Sequence, residues 1–97
     1  MREQDYQSKI IKRVEARGGY VVKVISAGKK GVPDVLICYR GYFIAVEVKT
    51  PDKMKNTSPL QDYNIKLIQS AGGRALVACE FEQVKEILDD IDQQNTN

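Results

Sequence analysis

Three charged residues occupy positions where an apolar, β-rich sequence is expected to stay apolar. Glu47 and Lys49 close the segment 42–49, and Asp34 opens the segment 34–39. Side chains alternate between the faces of a strand, so Glu47 and Lys49 point to the same side. A carboxylate and an ammonium buried there are costly unless they pair with each other, a metal ion or a substrate. The alternative is an ordinary ion pair at the surface end of a strand.

The turn between these segments is expected to bring the three residues together. Arg40-Gly41 predicts a tight hairpin turn, which places Asp34, directly after Pro33, beside Glu47. Two adjacent carboxylates repel, so a cation is expected between them, and oxygen ligands favour Mg²⁺ or Mn²⁺. The chain contains no histidine, which excludes zinc-hydrolase chemistry and a histidine general base. The sequence therefore predicts a magnesium centre in which the metal activates water.

The elements that position these residues follow from hydrophobic periodicity and turn residues. Their order, αβββαβα, predicts an α/β domain with a mixed four-stranded sheet flanked by helices, because the last strand–helix–strand unit implies a right-handed parallel crossover. The predicted helices cover about 3–17, 59–71 and 81–91, and the predicted strands cover 20–25, 34–39, 42–49 and 75–79. Tyr63 of the second helix is assigned to the core. A single domain is expected over 1–92, with 93–97 as a flexible tail.

Composition and charge limit the classes of function. Residues 1–79 contain 14 Lys/Arg and 7 Asp/Glu, whereas residues 80–97 contain one lysine and six acids. A basic body fits a polyanionic partner such as nucleic acid, and a generic solvated surface is the alternative. There is no apolar run long enough to span a membrane and no signal segment at the start. Cys38 and Cys79 lie in apolar segments and are expected to be buried free thiols.

A known family shares these residues. Gly31-Val32-Pro33-Asp34 followed by Glu47-Val48-Lys49 resembles the signature of the PD-(D/E)XK nuclease superfamily. The small size and the downstream glutamine, Gln61, are similar to the stand-alone phage type of the virus-type replication-repair nuclease (VRR-NUC) family. The resemblance covers residues 3 to about 79 and implies a restriction-endonuclease-like core. It also implies a Mg²⁺- or Mn²⁺-dependent DNA endonuclease located in the cytoplasm of a bacterial host.

The resemblance assigns a role to each residue of the motif. Asp34 and Glu47 would ligate the metal, and the backbone carbonyl of Val48 would complete the protein ligands. Lys49 would orient the attacking water, help its deprotonation or stabilise charge on the phosphate. These roles agree with the physics of metal-assisted hydrolysis, in which the metal activates water and offsets phosphate charge.

Two residues on helices complete the implied catalytic set. Glu3 matches the first-helix glutamate of the family, and the apolar stripe of that helix places Glu3 and Gln7 on its inward face. Gln61 matches the glutamine of the helix after the Glu-x-Lys strand. Ser58-Pro59-Leu60-Gln61 also fits a capping box, so Gln61 has a structural alternative as a helix cap.

Basic residues around the motif are candidate DNA contacts. The predicted contacts are Lys23 on the first strand and four lysines on the flanking loops, Lys29, Lys30, Lys53 and Lys55. The alternative for each is a solvated side chain, and for Lys23 a lysine whose stem lies on a half-buried face.

The expected substrate is branched DNA such as a Holliday junction. That expectation rests on the small family members and on the lack of length for a separate sequence-reading module. Symmetric cutting of two strands would require a homodimer, for which Tyr39, Tyr42 and Phe43 near the hairpin are the candidate contacts. The alternatives are a non-catalytic DNA-binding module and a sequence-specific restriction-type endonuclease.

Overall fold

Three helices and four strands follow one another in the computed structural model, which describes residues 1–95. The helices are α1 (Glu3–Ala16), α2 (Pro59–Ser70) and α3 (Phe81–Gln94), and the strands are β1 (Tyr20–Lys23), β2 (Val35–Tyr39), β3 (Tyr42–Val48) and β4 (Arg74–Ala78). A single 3₁₀ turn, Pro51–Lys53, lies in the connection between β3 and α2. The predicted order αβββαβα is confirmed.

The sheet is mixed, as predicted, with the strand order β1-β2-β3-β4. β1 and β2 are antiparallel, β2 and β3 are antiparallel, and β4 runs parallel to β3, so α2 forms the crossover. The turn between β2 and β3 has positive φ at both central residues, 50° at Arg40 and 85° at Gly41. Positive φ at both central residues is the requirement of a type I′ hairpin turn, and this turn places the start of β2 beside the end of β3.

The main core lies on one face of the sheet, under α1 and α3. Ile44, Val46 and Val48 of β3 point to this inner face, and their buried partners are Ile10, Val14, Val35, Ile37, Tyr39, Ala78, Phe81, Val84, Leu88 and Ile91. The alternate residues of β3, including Glu47, point to the outer face. There α2 packs against β3 and β4.

Element ends differ from the sequence prediction by more than one residue at two places. β1 ends at Lys23, two residues earlier than predicted. Val24 still donates one hydrogen bond to the carbonyl of Asp34 (2.7 Å), and the chain then leaves the sheet. α3 continues through Gln94, so residues 93 and 94 of the expected tail are helical, while residues 96 and 97 lie outside the described residues. None of the helices in residues 1–95 is long and apolar enough to cross a membrane.

The acidic C-terminal segment pairs with the basic body. Asp92 accepts hydrogen bonds from Tyr39 Oη and ion pairs with Arg17 and Arg40 at 2.8 and 2.7 Å. The hydrogen bond from Tyr39, together with the two guanidinium groups, holds the pKa of Asp92 below its usual range. Further ion pairs join Asp89 to Arg17 and Asp90 to Arg74. These three aspartates of α3 therefore neutralise arginines remote from Asp34 and Glu47.

Candidate active site

The predicted cluster forms where β2 begins and β3 ends, on the outer face of the sheet. The β2–β3 register pairs Val35 with Val46, so the residues one step further along, Asp34 and Glu47, lie opposite each other. Lys49, two residues after Glu47, places its Nζ 3.6 Å from Glu47 Oε2. The structure thus brings Asp34, Glu47 and Lys49 together, as strand alternation and the hairpin predicted.

Asp34 is held in place by the backbone of β3 and by the residue before it. The N–H of Val48 donates to Asp34 Oδ2 at 3.0 Å, which fixes one carboxylate oxygen beside Glu47. Pro33 is fully buried, so the chain enters β2 at a fixed point. The Asp34 carboxylate is therefore oriented before any ligand arrives.

Glu47 is the buried acid of the cluster, with an exposed fraction of only 2%. Burial, and after it the charge of Asp34, raise the pKa of Glu47 to about 7, against the lowering effect of the Lys49 ammonium. Its Oε1 is buried and has no hydrogen-bond partner within residues 1–95. A buried acceptor without a donor costs folding free energy. Glu47 Oε1 is therefore a candidate to bind a group from outside those residues.

Gln61 makes contacts that fit both interpretations left open by the sequence, the helix cap and a place beside the acidic cluster. Its Oε1 accepts the N–H of Ser58 at 2.9 Å, and its backbone N–H donates to Ser58 Oγ at 3.1 Å, which completes the capping box. Its Nε2 donates to Glu47 Oε2 at 3.1 Å. One amide therefore caps α2 with its oxygen and holds the carboxylate with its nitrogen.

The two ends of Gln61 can be separated by mutation. Gln61→Glu keeps an acceptor for Ser58 but replaces the donor to Glu47 with a second carboxylate, and we expect the DNA cleavage that the family resemblance implies to fall about 10- to 100-fold. Ser58→Ala removes the hydroxyl cap without touching Glu47, and we expect a loss of about 1 kcal/mol in unfolding free energy with cleavage nearly unchanged. Urea unfolding and cleavage rates would be measured on both variants. If Gln61→Glu cleaved DNA at the wild-type rate, the glutamine would act only as a cap.

The first-helix residues lie at the same end of the molecule, on the side of α1. Glu3 is exposed, and its charge contributes to the raised pKa of Glu47. Gln7 is 6% exposed, and its Oε1 has no hydrogen-bond partner in the described part of the chain. Both line a cleft of about 370 Å³ that also contains Lys23. The structure thus places Glu3 close enough to act on Glu47 and reveals Gln7 as the buried polar group of this helix.

The five predicted DNA-contacting lysines are all exposed, but they do not share one face. Lys23 pairs with Val35, which points to the inner face of the sheet. Lys23 therefore points to the same face, on the side of α1. Lys29 and Lys30 lie against α2, whereas Lys53 lines a cleft beside the start of α1 and Lys55 follows in the same loop. Within residues 1–95, none of these lysines forms an ion pair with a protein carboxylate. Their charges are therefore available to a polyanion.

Asn64, which sequence reasoning did not single out, secures the loop before Asp34. Its Nδ2 donates to the carbonyls of Lys30 and Leu60, at 3.0 and 2.9 Å, and the residue is buried. An asparagine inside a helix has no distinctive spacing. The sequence feature that could have indicated Asn64 is the nearby Gly31, because a glycine in a loop is typical of a place that another element approaches closely.

Gly31 itself should tolerate no side chain. Its φ is +81°, and a Cβ there would lie 2.8 Å from Leu60 and 2.9 Å from Asn64 Nδ2. We expect Gly31→Ala to lower the unfolding free energy by about 2 kcal/mol, because strain and overlap add. Gly28→Ala is the matched control, since it has ordinary φ and open space around it, and should change stability by less than about 0.5 kcal/mol. Urea unfolding of both variants would check this, and an equal loss from both would contradict the packing argument.

The donor set of the cluster is compatible with a small divalent cation. Within residues 1–95, no group of three or more His, Cys, Asp or Glu side chains is placed to hold a metal ion. The centre therefore offers two carboxylates, Asp34 and Glu47, and any further ligands must be backbone, water or substrate oxygens. Such an all-oxygen set suits Mg²⁺ or Mn²⁺, and the unpartnered Oε1 of Glu47 is a natural ligand atom.

Comparison with known proteins points to one family. No protein-family model matches the sequence, and no curated protein matches it. A solved structure described as a VRR_NUC domain is similar to the chain, with 33% sequence identity and a TM-score of 0.70. The match covers 90% of this chain and 94% of the other. With the fold and the Asp34, Glu47 and Lys49 geometry in place, this match shows that the chain is a nuclease domain and belongs to the VRR-NUC family.

Proposed function

We propose that the protein is a metal-dependent DNA endonuclease that acts on branched DNA such as Holliday junctions. The observation that supports this most directly is the buried Glu47, whose free Oε1 lies in a cluster with Asp34 and the Lys49 ammonium. The great majority of buried oxygens in structural ion pairs have a hydrogen-bond partner. Because the chain belongs to a nuclease family, we interpret this cluster as the catalytic centre.

Asp34 and Glu47, with the backbone carbonyl of Val48, would hold Mg²⁺, for which Mn²⁺ is the expected substitute. When bound, the metal ion lowers the pKa of water and offsets negative charge on the phosphate. Asp34 is oriented for this role by the Val48 N–H, and Glu47 by Gln61 Nε2. Each carboxylate thus has one oxygen fixed by the protein and can present the other to the ligand.

Lys49 would act on the reacting groups themselves. Its ammonium lies on the outer face next to Glu47, where it can position the attacking water or stabilise charge on a non-bridging phosphate oxygen. The water would attack phosphorus in line with the leaving oxygen and lose a proton to solvent. The bond from phosphorus to the leaving oxygen would break, and that oxygen would take up a proton from solvent. Glu3 would add a further carboxylate at the α1 side of the centre.

The substrate contacts and assembly belong to the same proposal. Lys23, Lys29, Lys30, Lys53 and Lys55 would contact DNA phosphates. Two strands of a junction would be cut by the two subunits of a homodimer. A phage protein working in the bacterial cytoplasm is the setting that the family resemblance suggests.

Cleavage of a synthetic four-way junction tests the proposal. We expect cuts in the presence of Mg²⁺ or Mn²⁺, none with EDTA, and much slower cutting of the linear duplex of the same sequence. A protein carrying Asp34→Ala, purified in the same way, controls for contaminating nucleases. Equal cleavage by both proteins would overturn the assignment, and discrete cuts in the linear duplex would favour a restriction-type enzyme instead.

A further inference from the structure

A cleft of about 550 Å³ lies between α1 and the start of α3. We call it the α1–α3 cleft, and Tyr6, Lys9, Lys12, Arg13 and Phe81 define it. None of these residues belongs to the metal centre or to the lysines already proposed as DNA contacts. The cleft is therefore a concave surface to which the proposed function gives no role.

The wall of the cleft that α1 supplies carries three cations without an anionic partner. Lys9, Lys12 and Arg13 are exposed, and within residues 1–95 none of them forms an ion pair with a carboxylate. Lys9 Nζ lies 3.8 Å from the Met1 sulfur, which is only a weak acceptor. Spacings of three and four residues place the three side chains on one side of the helix. This wall can therefore bind an anion without breaking an internal ion pair.

Aromatic rings lie next to these cations. The guanidinium carbon of Arg13 lies 4.5 Å from the centroid of the Phe81 ring, and Arg13 is exposed whereas Phe81 is buried. One face of the guanidinium thus packs on the ring, and the other face is open to a planar ligand. Tyr6, which packs partly buried against the core, adds a second ring. Guanidinium planes and aromatic rings are the surfaces on which proteins stack unpaired bases.

The opposite wall of the cleft is acidic. Glu80 and Glu82, where α3 begins, also line the cleft, and neither forms an ion pair with the cations of α1 in the described part of the chain. A ligand between the walls must present negative charge to α1 and hydrogen-bond donors to α3. A nucleotide does both, because its phosphate is anionic and a base amino group, such as that of cytosine, donates to a carboxylate. Free phosphate would be repelled by the two glutamates.

The α1–α3 cleft continues toward the catalytic centre. Tyr6 also lines the neighbouring cleft beside the start of α1, which contains Glu3 and Thr50. Thr50 directly follows Lys49 in the chain. Along α1 the rise from Glu3 to Lys12 is about 14 Å, the length of about four nucleotides in one strand of a duplex. A DNA strand that leaves the centre along α1 would therefore reach the α1–α3 cleft within a few nucleotides.

We propose that the α1–α3 cleft binds an unpaired nucleotide of the DNA, with its base stacked on Arg13 and its phosphates on Lys9 and Lys12. Only an unpaired base can enter, because pairing and stacking in a duplex cover both faces of the base. The inference rests on the proposed function in one respect, that the polyanion is DNA. It narrows the substrate to branched DNA with unpaired nucleotides close to the cut.

Binding of short single strands without metal tests the cleft. In EDTA, the wild-type protein would be titrated with a fluorescent oligo(dC) strand of about eight nucleotides and with a strand of the same length that lacks all bases. We expect the abasic strand to bind about tenfold more weakly, because it cannot stack on Arg13. Equal affinities for the two strands would overturn the proposal.

Substitutions in the cleft separate stacking from charge. Arg13→Lys keeps the charge but removes the planar face, so we expect about a tenfold loss of affinity for oligo(dC) and no change for the abasic strand. The double variant Lys9→Ala/Lys12→Ala should weaken both strands alike and reduce the slope of log affinity against log salt by about 1.4. Lys66→Ala, at an exposed position on α2, is the matched control and should change either affinity by less than about twofold.

An equal loss for both strands in Arg13→Lys would reduce the cleft to a charged patch and contradict the proposal. Arg13, Lys9 and Lys12 are all exposed, and urea unfolding would verify that the variants fold. Nuclear magnetic resonance on the wild-type protein gives a measurement that needs no variant. Deoxycytidine monophosphate should shift the amide signals of Tyr6, Lys12 and Phe81 far more than deoxyribose 5-phosphate does, and shifts confined to the surroundings of Glu47 would overturn the proposed cleft.

Failure of this proposal can be distinguished from failure of the nuclease proposal. Base-dependent binding by a protein that cuts no junction would leave the α1–α3 cleft in place and overturn the nuclease. Junction cleavage by a protein that binds the oligo(dC) and abasic strands equally would overturn the cleft and leave the nuclease in place.

Discussion

Glu47→Gln should abolish DNA cleavage and at the same time make the metal-free protein more stable. We expect cleavage to fall by about 10³-fold or more, because the amide cannot supply the anionic ligand that the metal requires. Stability moves the other way, since the burial that places Glu47 in the centre disfavours its charge. The same substitution is therefore expected to lower the cleavage rate and to raise the unfolding free energy.

The sign of the stability effect follows from the pKa of Glu47. In the folded protein the pKa is about 7, well above the ordinary value of 4.5. Between these values the folded state holds a proton that the unfolded state has lost, so unfolding free energy falls as pH rises. The contribution is fully present below about pH 4.5 and is lost as pH rises through 7. At pH 8 the Gln variant should be more stable than wild type by about 2 kcal/mol.

Urea unfolding in EDTA at pH 5 and pH 8 would measure this difference. Glu15→Gln is the control, because it removes an equal charge from an exposed position on α1 and should show no such pH dependence. Added Mg²⁺ should stabilise wild type at pH 8 but not Glu47→Gln. A Gln variant that is no more stable than wild type at pH 8 would contradict the raised pKa, and one that still cleaves DNA would contradict the role of Glu47.

Lys49→Met should lower cleavage by about 10²- to 10⁴-fold while changing DNA affinity by less than about tenfold. The ammonium is largely buried beside Glu47, so its loss removes a group that acts at the reacting phosphate. It also removes the charge that lowers the pKa of Glu47. The variant should therefore need a higher pH to reach half of its maximal metal binding.

Three measurements check the Lys49 prediction: single-turnover cleavage, DNA binding in Ca²⁺ and metal titration at several pH values. Lys66→Met removes an exposed lysine from α2 and is the control for loss of positive charge. If Lys49 and Glu47 formed only a surface ion pair, both lysine variants would cleave DNA at nearly the wild-type rate.

Strand alternation and the hairpin turn were enough to predict the Asp34, Glu47 and Lys49 cluster. Both rules are local, and the buried face of β3 leaves no freedom in register. Alternation does not say which helix covers which half of a sheet. For that reason Cys38 was wrongly expected to be buried, although the outer face over β2 is open, and Tyr63 was wrongly assigned to the core.

Other features of the site depend on contacts that no spacing encodes. The sequence offered a helix cap and a site role for Gln61 as alternatives, yet an amide has a donor and an acceptor, so one side chain bonds to both Ser58 and Glu47. Asn64 went unnoticed because its carbonyl partners on the loop and on α2 meet only after the loop folds onto that helix. Glu3 and Gln7 could be placed on one helix face, but their separation into an exposed acid and a buried amide required the packed structure.

The Gln61 side chain links the backbone N–H of Ser58 to the Glu47 carboxylate, so this N–H can report on the state of the carboxylate. The amide hydrogen of Ser58 is protected only as long as Gln61 Oε1 stays turned toward it. Any event that draws Glu47 away from Gln61, such as ligand capture or protonation, frees the glutamine side chain to leave the cap. Hydrogen–deuterium exchange at Ser58 would then follow the state of the Glu47 carboxylate through the glutamine between them, with no label placed in the catalytic centre.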